Sequence, residues 1–372
     1  MVGIELFRKR KRYNIQKLFL FYKEVVMKKV LVFVLAAVMV VGMMSFTAFA
    51  DEAGDFQGNP ITLKFSHNNA STTPLYEGLQ QWCDAVNEAT HGTVTIEQYP
   101  SESLGPTTEG INMLDTGIAD LLWATTGMFS GQFNYLDTFA LPGIGSTSSV
   151  NGTNAIWDVY EGEFGHYIDE EFSGMKVLQI FQSEGGIIGS NEKIEKVGDL
   201  SGKVVRSIAG GMADYMTAVG ASPTFMGPAD IYLNMEKKVI DAFAFEWAGV
   251  QSFTLGEQVP YFLDINIYRV PGVIMISDMA WNKLSEDQQN AILSVSLREG
   301  SLKLAELYDN VEGEYKESCV ANYGTELVVP DEAAQEEFFK AAEPVWEGRQ
   351  AILQDGEAFF NAVVAAVESY EK

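Results

Sequence analysis

Strand-like and helix-like segments alternate in two separate stretches of this chain, and that rhythm restricts it to an α/β architecture. Residues 60–66 (PITLKFS) alternate as a strand does, and residues 75–88 then place Leu75, Leu79, Trp82 and Val86 at helical spacing. Residues 93–99 read as a second strand, and residues 107–116 as a helix stopped by Gly117. Residues 119–124 (ADLLWA) form the continuous apolar run of a buried parallel strand. This βαβαβ order predicts a parallel sheet. The pattern restarts with strands at 175–181, 187–190 and 203–207, a helix at 211–219 and a strand at 223–225 entering a further helix at Pro228. Residues 239–247 and 270–276 supply two more apolar strands, Ser285–Gln288 has the form of a capping box opening a long helix to about Asn322, and residues 331–372 are helical in pattern. Two α/β units in one chain predict two lobes around a cleft, with ligand at the carboxyl ends of strands.

Composition narrows the function. The 372 residues carry 25 Lys+Arg against 51 Asp+Glu, a net charge of −26, which disfavours nucleic acid and anionic membrane as partners. With 47% hydrophobic residues there is ample material for a core, and the length suits about two domains of roughly 150 residues. Two cysteines, Cys83 and Cys319, exclude a disulfide scaffold, and both a bridge between them and two buried free thiols are open. Three histidines without metal-ligand spacing disfavour a His-based metal site. The charge is unevenly divided: residues 1–50 hold nine Lys/Arg and two acids, and residues 51–372 hold sixteen and forty-nine. From Met27, Lys28-Lys29 precede an uncharged stretch closing in Ala48-Phe49-Ala50, which predicts a signal peptide cleaved after Ala50 rather than a membrane anchor. Residues 1–26 read as an upstream extension. The predicted product is extracytoplasmic.

Catalytic motifs are missing. There is no G-x-S-x-G elbow, P-loop lysine, H-E-x-x-H or G-x-G-x-x-G, and acidic pairs such as Glu170-Glu171 and Glu336-Glu337 read as solvated faces. The arginines are more telling, because residues 51–372 contain only Arg206, Arg269, Arg298 and Arg349. Arg298 and Arg349 lie in polar helical text and read as surface residues, and Arg269 reads as a structural pair. Arg206 ends a strand just before a glycine turn, where its planar fork can meet either a ligand carboxylate or one of the protein's own acids.

The order of segments then becomes informative. KFSHNNASTTP, YPSESLGPTTEGINMLDTGIADLLWATTG, FALPGIG, DLSGKVVRSIAGG, DAFAFEW and MAWNKLSEDQQNAIL occur in sequence, and together the chain resembles the extracytoplasmic solute receptors of TRAP transporters, the DctP-like family. The resemblance implies a two-lobed, periplasmic-binding-protein-like α/β fold with long C-terminal helices and no catalysis. Residues 51–178 and about 264–300 would form lobe 1, and residues 179–263 and about 301–372 lobe 2 with connecting helices. It implies capture of a small organic anion near micromolar affinity and delivery to TRAP membrane permease subunits. Arg206 would grip the ligand carboxylate, and His67, Asn68, Trp123, Thr125, Thr126, Gln182, Phe245 and Trp247 would line the cleft. The family pattern has proline where Glu246 stands, so an acid has moved near the cleft. No cofactor is required, although Glu246 could hold a bridging calcium or sodium ion or receive a ligand amine. The lack of Arg or Lys between Gln179 and Glu192 argues against sialic acid. Sensing on behalf of a membrane signalling partner is the alternative role, and an exported hydrolase a weaker one.

Overall fold

Among the described residues, ten strands and a set of helices are built around two buried sheets that share one long strand. The computed structural model describes residues 56–371, and Gln57 onward forms one compact unit. The expected signal peptide and upstream extension lie outside the described residues. No helix among the described residues is long and apolar enough to cross a membrane. The strands are β1 (Ile61–Ser66), β2 (Val94–Tyr99), β3 (Leu121–Thr125), β4 (Met175–Ser190), β5 (Val204–Arg206), β6 (Ser222–Thr224), β7 (Ala242–Glu246), β8 (Tyr261–Leu263), β9 (Arg269–Ser277) and β10 (Glu326–Val328).

In the first sheet β1 pairs parallel with β2 and β3, as the βαβαβ rhythm predicts, but β3 and β4 both pair antiparallel with β9. The sheet is therefore mixed rather than parallel. In the second sheet β5 pairs parallel with β6 and β7, and the far end of β4 runs antiparallel to β7 and β8. All five residues of β3 and of β7, and all nine of β9, are buried, which explains why they read as unbroken apolar runs.

The crossing point of the two sheets lies on β4. Sequence reading splits this segment in two at Gln182–Gly186, whereas the structure has one sixteen-residue strand. The pairing with β9 shifts register between Gln182 and Gly185, and beyond that bulge the strand pairs with β7 and β8. Glycines are needed there: a Cβ on Gly185 would stand 1.8 Å from Asn266 Oδ1, and one on Gly186 2.2 Å from the Tyr268 ring. The bulge frees Ser183 and Glu184 from regular pairing.

Helices cover both faces. Pro74–Ala89 starts at Thr73, whose side chain accepts from the Tyr76 amide, and buries Leu75, Leu79, Trp82, Cys83 and Val86. The capping box forms as predicted, with Ser285 and Gln288 satisfying each other's backbone, but it opens only Glu286–Ser294. The chain breaks at Val295-Ser296, with Leu297 at φ 49°, before the long helix Leu297–Tyr323 begins. Trp82 Nε1 donates to Ser296 Oγ at 3.1 Å across this break. The C-terminal helices Glu332–Lys340, Glu343–Ile352 and Gly356–Tyr370 follow.

Both cysteines are free and buried, Cys83 on the first helix and Cys319 on the long one, and burial raises both thiol pKa values. Neither thiol should react with a bulky disulfide reagent until the protein unfolds, and a reductant should leave Tm unchanged. Rapid native titration of both thiols, or a Tm drop on reduction, would contradict this.

Candidate functional site

The bulge in β4, the carboxyl ends of β3 and β7, and the long helix meet around a small chamber. Its volume is about 30 Å³, room for about two waters. Asn68, Trp123 and Thr125 contribute from the first sheet, Ser183 and Glu184 from the bulge, and Phe245 and Glu246 from β7. Phe253 and Tyr308 complete the wall. A polar vestibule of about 300 Å³, lined by Thr72, Thr73, Glu314 and Tyr315 among others, shares Ser252 with the chamber.

Glu184 is fully buried. One carboxylate oxygen accepts the Ala248 amide and the other, Oε2, has no partner. Loss of water and the neighbouring Glu246 push its pKa up to about 8. Glu246 is also buried, and desolvation raises its pKa against the opposing pull of Arg206. Tyr268 lies beside it, but neither Tyr268 Oη nor Glu246 Oε1 closes a hydrogen bond.

Arg206 ends β5, as its sequence context predicts, and is completely buried. Its Nη1 donates to the Ala244 carbonyl at 2.8 Å and its Nε to that of Met226 at 3.3 Å, while Nη2 has no partner. Its guanidinium carbon sits 4.8 Å from the centre of the Phe245 ring, and it is Phe245, not Arg206, that lines the chamber. No ion pair joins Arg206 to an acid within 4.0 Å among the described residues.

The other predicted residues divide. Asn68, Trp123, Thr125, Phe245 and Glu246 come together at the chamber. His67 does not: it is buried beside Phe65 and Tyr76 and bonds Gln98 Oε1 at 2.9 Å, and desolvation lowers its pKa to about 4. Thr126 is buried next to Asp137. Gln182 is spent on the Arg269 carbonyl at 2.7 Å and the Phe139 carbonyl at 3.3 Å. Trp247 points into the core, 4.9 Å from Phe262. Sequence reading passed over Tyr308 on the long helix and Phe253 just after the short helix Trp247–Ser252, where nothing local signals which residue meets the bulge. Glu184, two residues after the predicted Gln182, is brought in by the irregular register.

Two surface readings are corrected. Arg349 is buried and donates to Asn134 O at 2.8 Å. Glu171 is buried too, accepting the Tyr135 and Leu136 amides at 2.6 and 3.2 Å, and desolvation lifts its pKa to about 8. Arg269 is the structural residue expected, donating to Ser149 Oγ, to the Ser183 and Thr147 carbonyls, and to Glu312. As for a bridging cation at Glu246, no grouping of three or more His, Cys, Asp or Glu suited to a metal occurs among the described residues. Calcium takes six to eight oxygens, so two carboxylates are a thin charged set for it.

Glu171 and Glu184 both hold protons more tightly folded than unfolded, where their ordinary value is near 4.5. Their contribution is fully present below that value and is lost as pH rises through about 8. His67 acts oppositely, but only below about 6.5, its ordinary value. Tm should therefore fall between pH 6.5 and pH 8.5, roughly the interval above the His67 range and across the two glutamates. A rise across that interval, followed by circular dichroism, would contradict these assignments.

Residues 65–351 match the family described as bacterial extracellular solute-binding protein, family 7 (DctP). The C4-dicarboxylate-binding protein DctB of Bacillus subtilis is 23% identical over 336 residues, 85% of this chain and 93% of that one. A TRAP solute binding protein from an unidentified marine-metagenome microbe, specific for aromatic acid ligands and in complex with metahydroxyphenylacetate, has a TM-score of 0.77 at 20% identity, covering 84% of this chain and 100% of that one. A TRAP periplasmic solute binding protein of Bordetella bronchiseptica with bound mandelate gives 0.75 at 23% identity, covering 83% and 99%. These structures share the two-lobed fold with its long C-terminal helices. The family match covers well over half the sequence, and the chain belongs to the bacterial extracellular solute-binding protein family 7 (DctP), a family of solute receptors rather than enzymes.

Proposed function

We propose that this receptor captures a small organic carboxylate outside the cytoplasm, anchors it on Arg206 and delivers it to TRAP membrane permease subunits. The observation that carries this is the partnerless Nη2 of a fully buried arginine at a strand end, 4.8 Å from a ring that lines the chamber. A buried donor left unmade costs about 1–3 kcal/mol, more for a charged group, and a ligand carboxylate relieves that cost. The exchange has the right sign. Parting Phe245 from the guanidinium gives up a cation–π contact of about 0.5–2 kcal/mol, whereas each charge-assisted hydrogen bond to a carboxylate is worth roughly 1.5–3 kcal/mol. Because the chamber as it stands holds about two waters, entry requires the lobes to part and close again. The named ligands of similar proteins, C4-dicarboxylate, metahydroxyphenylacetate and mandelate, are all carboxylates.

The test is a thermal-shift panel of aliphatic, aromatic, hydroxy-, keto- and amino-carboxylates. A ligand at about 100 times its Kd stabilises by about 2.7 kcal/mol, a shift of several degrees. A panel in which uncharged analogues shift Tm as much as the acids would remove the carboxylate from the recognition.

A further inference from the structure

We infer that the solute carries a positively charged nitrogen as well as its carboxylate, and that the nitrogen is held between Glu184 and Glu246 against the aromatic wall of the chamber. This rests on the carboxylate-receptor function proposed above and specifies its ligand class.

Two carboxyl groups, both more than nine-tenths buried, line one small chamber, and each has an oxygen without a hydrogen-bond partner, Glu184 Oε2 and Glu246 Oε1. A buried carboxyl group stays charged only where something compensates it, and otherwise it holds its proton. The protein supplies little. Of the cations nearby, Arg206 is shared with two backbone carbonyls, and Arg269 is taken up by Ser149, Ser183, Thr147 and Glu312. The other groups facing the pair are Tyr268 just before β9, Tyr308, Glu312 and Tyr315 on the long helix, and the Ala248 amide, none of them a cation. Once Glu184 is ionised, a plain carboxylate would bring a third negative charge into a desolvated space facing one guanidinium. An ammonium on the same molecule corrects the balance. The rest of the wall suits it, since Trp123, Phe245, Phe253 and Tyr308 present aromatic surface around the two acids, and ring faces attract ammonium groups.

The experiment is calorimetric titration of the full mature protein with butyrate, 2-aminobutyrate, 4-aminobutyrate and 4-(trimethylammonio)butyrate. They share one carboxylate and differ in the presence, position and alkylation of the nitrogen. At least one nitrogen-bearing acid should bind at least about tenfold more tightly than butyrate. Its affinity should rise with pH through about 8, as Glu184 ionises, whereas that of a plain acid should fall. Glu246→Gln and Glu184→Gln should each cut the preference to about twofold or less, read as the ratio of the two affinities within each variant. Should either variant fold poorly, the wild-type ratio and its pH dependence decide alone. The inference is overturned if butyrate matches or exceeds all three. It is also overturned if sodium or calcium raises butyrate to the level of the best of them, because a metal ion then fills the place of the nitrogen. Butyrate winning while Arg206→Lys still weakens it leaves the carboxylate receptor standing. Loss of the receptor function itself is recognised separately, by the broader panel giving no carboxylate-dependent shift.

Discussion

Arg206→Lys should weaken binding of the best carboxylate by at least about tenfold, and Arg206→Ala by at least about 100-fold, the latter about 2.7 kcal/mol. Lysine keeps the charge but not the planar fork, so it loses the paired geometry a carboxylate prefers. The two variants also separate binding from folding. Alanine removes the donors that satisfy the Ala244 and Met226 carbonyls and leaves Glu246 without its nearest cation, so it should lower stability as well as affinity. Calorimetry on the lysine variant, with urea unfolding beside it, is therefore the cleaner readout. Unchanged affinity for the ligand in a folded Arg206→Lys protein would remove Arg206 as the anchor.

Trp247→Ala should act on the fold instead. Trp247 follows Glu246 directly, and by resemblance it belonged to the ligand wall, yet its ring is wholly buried and packs at 51° on Phe262, 4.9 Å away. Deleting a buried tryptophan typically costs 3–5 kcal/mol, about the transfer term plus the cavity left behind. Urea unfolding should show a loss of that order, while Phe245→Ala at the chamber wall should affect ligand affinity more. A loss under about 1 kcal/mol accompanied by a large fall in affinity would return Trp247 to the ligand site.

Much of the architecture was legible because it is written in local chemistry. The βαβαβ run of β1, β2 and β3 and the Ser285–Gln288 capping box are set by residues within a few positions of one another, and they form as expected. The antiparallel strand β9 between β3 and β4 was not legible, since a buried strand has the same apolar text in either direction. The bulge of β4 looked like a gap between two strands because Ser183, Glu184 and two glycines break the apolar run, although the backbone continues.

The same division runs through the site. Asn68, Trp123, Thr125, Phe245 and Glu246 sit at strand ends, where a cleft between sheets is expected, and they do meet. Gln182 and Trp247 are one or two residues from chamber-lining neighbours, but the strand's alternation and the start of a helix turn them into the core. Arg349 and Glu171 were read as solvated because their own surroundings are polar. Their partners, Asn134 and the amides of Tyr135 and Leu136, lie 215 and about 36 residues away in sequence, beyond what local pattern carries.

The most direct measurement is the crystal structure of the complex with the tightest-binding carboxylate of the thermal-shift panel. A carboxylate oxygen should lie within hydrogen-bond distance of Arg206 Nη2, with Phe245 moved off the guanidinium and Trp123 and Thr125 against the rest of the ligand. A ligand bound elsewhere, with Arg206 still capped only by the Ala244 and Met226 carbonyls, would contradict the assignment.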